Sequence, residues 1–199
     1  MSSLPVDSAP SLGEGAAVSW ERRLLDLFDD LEQQAEGAAL VARDAEVAEL
    51  ARSEYSEVEL ADRWHASTGR HVELTAVGGL VLRGRVARVG AGWCLVVPEP
   101  GEAQGEGQEW LVALSGLAAV RGLSAQAQPA SLRPLTARLG LASALRGIAE
   151  DQERVTVIRT DGERRRGRVG RVGRDFLELL DDTDRLEVVP FSAVSAVRR

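Results

Sequence analysis

Six arginines crowd into one short stretch, Glu163-Arg164-Arg165-Arg166-Gly167-Arg168-Val169-Gly170-Arg171-Val172-Gly173-Arg174, with Glu163 as its one acid. Arginine grips phosphates and carboxylates with a two-pronged fork and stacks on bases. Arg164, Arg166, Arg168, Arg171 and Arg174, with Phe176 as an adjoining ring, therefore form a candidate anion or nucleic-acid contact. Two other readings stay open. The same arginines can form a basic face that neutralises acidic helices, within one chain or across a dimer, or they can be a solvated strand. The neutralising face is preferred, because stacking platforms beyond Phe176 and Phe191 are missing nearby.

Catalytic chemistry has little to build on. His65 and His71 are the only histidines, and no Cys or carboxylate stands at ligand spacing from either, so neither a zinc site nor a nucleophilic triad is expected. Cys94 lies inside an apolar run and reads as a small buried hydrophobe. Asp181-Asp182-Thr183-Asp184 is too short for a calcium loop and reads as a turn. The glycines of Val89-Gly-Ala-Gly-Trp93 join two strands without a helix N-terminus behind them, so they suit a hairpin and not a phosphate cradle. No catalytic residue, metal or cofactor is expected, and the chain reads as non-enzymatic.

Charge narrows the partners. The 199 residues carry a formal charge of −7 with a pI near 5.0, which argues against a general polyanion binder. All 24 basic residues are arginine. Residues 1–70 hold 6 Arg against 15 acids, residues 71–133 hold 5 against 5, and residues 134–199 hold 13 against 11. A lone cysteine allows no internal disulfide, which fits a reducing compartment. No run of 18 apolar residues exists, and residues 1–17 lack a signal-peptide pattern. A cytoplasmic protein with no membrane partner is expected.

Residues 1–17, rich in Ser, Pro and Gly, read as a disordered arm. Residues 18–53 form an acidic amphipathic helical region, capped at Ser19 and either continuous or broken near Gly37. Its stripe of Leu24, Leu27, Phe28 and Leu31 is a candidate self-association surface of coiled-coil type. A further helix over residues 57–67 leads into strands, residues 124–134 read as a linker, and residues 136–152 form a matching second helix.

The strands repeat. Arg83-Gly-Arg-Val-Ala-Arg-Val-Gly90 returns as Arg166-Gly-Arg-Val-Gly-Arg-Val-Gly173 at an offset of 83, and Leu111–Val120 returns as Val188–Val197 at an offset of 77. The difference falls in the Pro98–Gln108 loop. Internal repetition of this kind means paired small domains. In each copy an alternating strand meets a turn, Gly78-Gly79 or Asp161-Gly162, expected as a two-residue type I′ hairpin. The next strand bends at Gly84 or Gly167, and three short strands follow.

A helix followed by five bent antiparallel strands, with a one-turn corner before the last, resembles the Sm-like family, in particular its bacterial Hfq-type RNA chaperones. The resemblance rests on Arg154-Val-Thr-Val-Ile-Arg-Thr-Asp-Gly162, Arg166-Gly-Arg-Val169, Phe176-Leu-Glu-Leu-Leu180 and Pro190-Phe-Ser-Ala-Val194. SH3-like barrels share much of this pattern. The resemblance implies an α+β fold: N-terminal helices followed by two tandem helix-plus-five-stranded Sm-like or SH3-like β-barrels, over residues 54–123 and 135–199. It also implies ring assembly by strand edges. The family's uridine-rich RNA site uses a Lys-His pair in the corner before the fifth strand, and here the corners read Ala113-Leu-Ser115 and Pro190-Phe-Ser192. The leading expectation is therefore a protein-interaction or assembly module that self-associates or takes a protein partner. The alternative is an RNA or single-stranded nucleic-acid binder using Arg164–Arg174.

Overall fold

The computed structural model describes residues 14–99 and 108–199, and for residues 14–24, 26, 29 and 30 the backbone alone. The chain divides into two units, Met1–Glu57 and Val58–Arg199. The first is built on α1 (Glu14–Ser56), an unbroken helix of 43 residues. Gly37 does not interrupt it; a glycine inside a helix costs only about 1 kcal/mol. The helix starts five residues ahead of Ser19, which therefore caps nothing. Of the expected disordered arm, residues 14–17 are helical and residues 1–13 lie outside the described residues.

The second unit opens with α2 (Leu60–His65), shorter than expected, which a reciprocal pair of Glu59 and Asp62 contacts caps at its start. Five strands follow: β1 (His71–Ala76), β2 (Val81–Gly90), β3 (Trp93–Pro98), β4 (Trp110–Ala113) and β5 (Leu117–Arg121). After α3 (Leu141–Asp151) come β6 (Arg154–Arg159), β7 (Arg164–Val172), β8 (Phe176–Leu180), β9 (Leu186–Pro190) and β10 (Val194–Arg198). All ten strands form one open antiparallel sheet in the order β5-β1-β2-β3-β4-β10-β6-β7-β8-β9. The fold is α+β.

Both halves of that order are the same path, and the repeat offsets carry rungs of one onto rungs of the other. Glu73↔Arg83 becomes Thr156↔Arg166, Glu73↔Arg121 becomes Thr156↔Arg198, and Trp93↔Ala113 becomes Phe176↔Pro190. Sequence identity at a few glycines and arginines thus reflects a shared ladder. Strand bending has two sources. Gly84 and Gly167 let a facing carbonyl, of Val97 or Leu180, come within 2.4 and 2.3 Å of where a Cβ would sit. The register also slips by a bulge between Val86 and Arg88 and again between Val169 and Val172.

The turns differ from expectation. Gly78 and Gly79 both take a positive φ as expected, whereas in the second copy only Gly162, not Asp161, does; Gly79 and Gly162 each donate back to the residue three before them, Ala76 and Arg159. These are four-residue turns closed by a left-handed glycine, a longer hairpin than type I′.

The joint between the repeats is β4 against β10, with Val112 opposite Ala196, Leu111 opposite Val197 and Trp110 opposite Arg198. The cores interpenetrate across it. Ile158 and Ala196 sit in the core of the first repeat, while Trp93 and Leu111 sit in that of the second. Two close approaches make this possible: a Cβ on Gly116 would meet Ser195 Cα at 2.7 Å, and one on Gly78 would meet Gly162 N at 2.6 Å. Ser195 Oγ then donates to the Val77 carbonyl at 3.0 Å.

The expected linker is pinned to α2. Arg63 Nε donates to Ser124 O at 2.8 Å, Ser124 N donates to Ser67 Oγ at 2.8 Å, and Gln128 N donates to Asp62 O at 3.0 Å. Arg133 also pairs with Asp62, both side chains largely buried. His65 lies at this clasp, and burial, reinforced by the nearby Arg133 charge and opposed by Asp62, holds its pKa below the ordinary value.

Three stability measurements follow from these contacts. Gly116→Val crowds the joint and should cost about 1–3 kcal/mol in denaturant unfolding. Gly147→Ala, in α3 with open space around it, should gain about 0.5–1 kcal/mol. Below the ordinary imidazole value of 6.5 the unfolded chain takes up a proton that folded His65 resists. Stability should therefore fall as pH drops from about 6.5, and His65→Gln should flatten that slope.

Candidate anion-contact surface

Side chains alternate along β7, so Arg164, Arg166 and Arg168 share one exposed face, with Gly167 and Val169 turned to the core. The bulge after Val169 breaks this row, and Arg171 and Arg174 do not continue it. The carboxylates that meet these arginines come from the same repeat. Arg168 approaches Asp184 at 3.8 Å, and Arg171 pairs with Glu178 at 2.9 Å, which raises the arginine pKa through that hydrogen bond. Arg165 pairs with Glu163 at 2.6 Å and Glu187 at 3.4 Å, and half-buried Arg159 reaches Asp161, Glu163 and Glu187 at 3.0–3.5 Å. Exposed pairs contribute little stability, about 0–1 kcal/mol each. Their effect is on the surface potential, which they cut down. Among the described residues, Arg164, Arg166 and Arg174 make no ion pair.

Phe176 is half-buried over Gly173, where an added Cβ would lie 2.4 Å from its Cε1. Trp93 covers Gly90 in the same way at 2.3 Å, and its indole donates to Leu139 O at 2.8 Å. One face of each ring is therefore taken up by backbone and offers nothing to a base.

The other candidates resolve into structure. Asp181 Oδ1 accepts from the Thr183 hydroxyl at 2.7 Å and from the amides of Thr183 and Arg185 at 2.8 and 2.9 Å, contacts that lower its pKa and close a turn. Burial pushes the Cys94 thiol up to about 12. Among the described residues no cluster of His, Cys, Asp and Glu is arranged to hold a metal ion, and no helix is long and apolar enough to cross a membrane. On α1, Leu27, Phe28 and Leu31 are 56, 54 and 51 % exposed. The Leu24 side chain lies outside the described residues.

Two small clefts occupy equivalent places in the repeats. In the first, Glu73 sits between two arginines: its Oε2 accepts from Arg83 Nε at 2.7 Å and its Oε1 from Arg121 at 2.5 Å. Those two bonds, Arg83 first, hold the Glu73 carboxyl below the ordinary carboxylate value. Beside it, His71 Nδ1 meets Glu99 at 2.5 Å, and the equivalent pair, Arg154 and Asp182, meets at 3.0 Å. In the second cleft Thr156 replaces Glu73, while Arg166 and Arg198 keep the places of Arg83 and Arg121. Of this set only Arg166 was expected at a site. Laying the repeats over one another at Glu73 and Thr156 is the sequence signal that finds the rest.

No protein-family model matches the chain, and no curated protein matches it closely enough to be counted a relative. Fold and surface alone define its class: an α+β protein with a duplicated five-stranded ladder and an arginine-rich second repeat.

Because its thiolate is so disfavoured by burial, Cys94 should stay unreactive toward a thiol reagent in the native protein. It should titrate as one equivalent once denatured, as absorbance with an aromatic disulfide would show.

Proposed function

We propose that this protein is a non-enzymatic assembly module. In this reading α1 pairs with a second copy of itself, and two Sm-like or SH3-like barrels form the body. The observation that carries it is the exposed apolar set on α1. Leu27, Leu31, Val41 and Tyr55, each more than half exposed, share one phase of alternating three- and four-residue steps with Ala38, Ala45 and Ala48, a phase that Gln34 and Arg52 interrupt. A repeat averaging 3.5 residues is the pattern of helices that wrap around one another. A helix of 43 residues is about 65 Å long. Isolated helices owe little to propensity and most of their stability to packing an apolar stripe, and a second copy presents a stripe of the same length.

Acidic side chains dominate the rest of α1, so two copies repel at the flanks. Added salt screens that repulsion and tightens the association, whereas nucleic-acid binding weakens in salt.

Light scattering tests this. The full chain should be a dimer or larger, more so at higher ionic strength, and a Leu27→Ser, Phe28→Ser, Leu31→Ser variant should be monomeric. A monomeric full chain rejects the reading. Tight, salt-sensitive RNA retention on a filter, lost on changing Arg164, Arg166 and Arg168 to Ala, would favour the nucleic-acid alternative in its place.

A further inference from the structure

The two clefts differ in charge: the second lacks one carboxylate and carries two more arginines. His71, Glu73, Arg83, Glu99, Arg121 and Gly122 line the first; Arg154, Thr156, Arg166, Asp182, Arg198 and Arg199 stand in the equivalent places of the second. The first cleft holds two arginines against two carboxylates. The second, about 280 Å³ in volume, holds four arginines against one. Asp182 is taken by Arg154, and Arg199 is held by Asp151 and Glu153 at 3.0 and 3.4 Å. Arg166 and Arg198 remain, with no carboxylate partner among the described residues.

These two guanidinium groups are placed by the sheet. Arg166 and Arg198 are both rung partners of Thr156, as Arg83 and Arg121 are of Glu73. Thr156 is buried, and its hydroxyl accepts only a long contact, 3.5 Å, from Arg198. The Arg198 guanidinium lies 5.7 Å from the ring centre of Trp110, which fixes it from the far side of the joint. Gln108, also from the first repeat, lines the cleft with a buried amide oxygen that has no partner among the described residues. The two clefts are alike in volume, about 300 and 280 Å³, so charge sets the second apart: with threonine in place of glutamate, no carboxylate stands between Arg166 and Arg198.

We propose that the cleft between Arg166 and Arg198 binds a carboxylate brought in by an acidic polypeptide, the incoming group taking the position that Glu73 holds in the first repeat. The two arginines flank one carboxylate and each donates to a different oxygen, as Arg83 and Arg121 do. Thr156, standing where the first repeat has a glutamate, leaves the position between the two arginines without a carboxylate. The site stands apart from α1 pairing, since none of its residues belongs to that helix.

The test is fluorescence anisotropy of a labelled hexaglutamate peptide with the full chain, with acetate and inorganic phosphate as competitors and light scattering run in parallel. Wild type should bind at one saturable, salt-sensitive site. Thr156→Glu, which places an internal carboxylate between the arginines, should weaken binding roughly tenfold or more without changing the oligomeric state. The double variant Arg166→Gln, Arg198→Gln should do the same, whereas Arg164→Gln, on the same strand but outside the cleft, should bind as wild type. Glu73→Thr should open the first cleft and raise the stoichiometry to two. No binding by wild type, undiminished binding by folded Thr156→Glu, or no second site in folded Glu73→Thr would each overturn the proposal. Phosphate displacing the peptide more effectively than acetate would overturn the assignment of a carboxylate.

Discussion

The pairing of β4 with β10 is the constraint on which the body of the molecule depends. Each five-stranded repeat is at a size where a single core is only marginally sufficient. The joint removes the problem by letting the two cores share residues: Ile158 and Ala196 complete one, Trp93 and Leu111 the other. A flush edge is needed for that exchange. Gly116 and Gly78 supply it, because any side chain at either would hold the repeats apart. The joint also creates the second cleft, whose walls include Gln108 and a Trp110-supported Arg198 from both sides of the seam.

Charge is distributed by the same ladder. The arginine run of β7 looks like a polyanion surface when written out in one line, but in the sheet its members are set against Glu163, Glu178, Asp184 and Glu187 of neighbouring strands and turns. What is left over is local. Part of it sits where the ladder pairs two arginines, Arg166 and Arg198, with a threonine, and there the excess has a defined geometry. The register thus sets Arg165, Arg168 and Arg171 in ion pairs and Arg166 in a cleft.

How much was legible follows from which signals are short-range. The two offsets located every strand of both repeats within a residue or two, since periodicity and glycine placement act along a single strand. Some misses were local and others came from partners distant in sequence. Ser19 has the right chemistry for a cap, yet the helix continues past it because preceding residues can also be helical. The 124–134 stretch has linker composition, and Asp62, Ser67 and Arg63, more than fifty residues earlier, tie it down. Asp161-Gly162 has the right residues for a two-residue turn, but the hairpin closes between Arg159 and Glu163, so Thr160 joins the loop. In the cleft, Thr156 and Arg198 carry no motif at all. Only their rung pairing, compared with that of Glu73, marks them.

The two ends of the sheet do not repeat the internal joint. Strand β9 is the repeat equivalent of β4, and β5 of β10, so a second copy offers in principle the same joint again. Leu186 and Val188 on β9 are even exposed, at 53 and 57 %, where Leu111 is buried. The close approaches do not carry over, however. Ala193 stands in the place of Gly116 and Asp161 in the place of Gly78, each with the Cβ for which the internal joint has no room. Pro190, in the place of Ala113, also removes a backbone donor from the end of that edge, a common way of blunting an exposed strand. The seam inside the chain is thus built from glycines that its outer edges lack, so the sheet ends where it does.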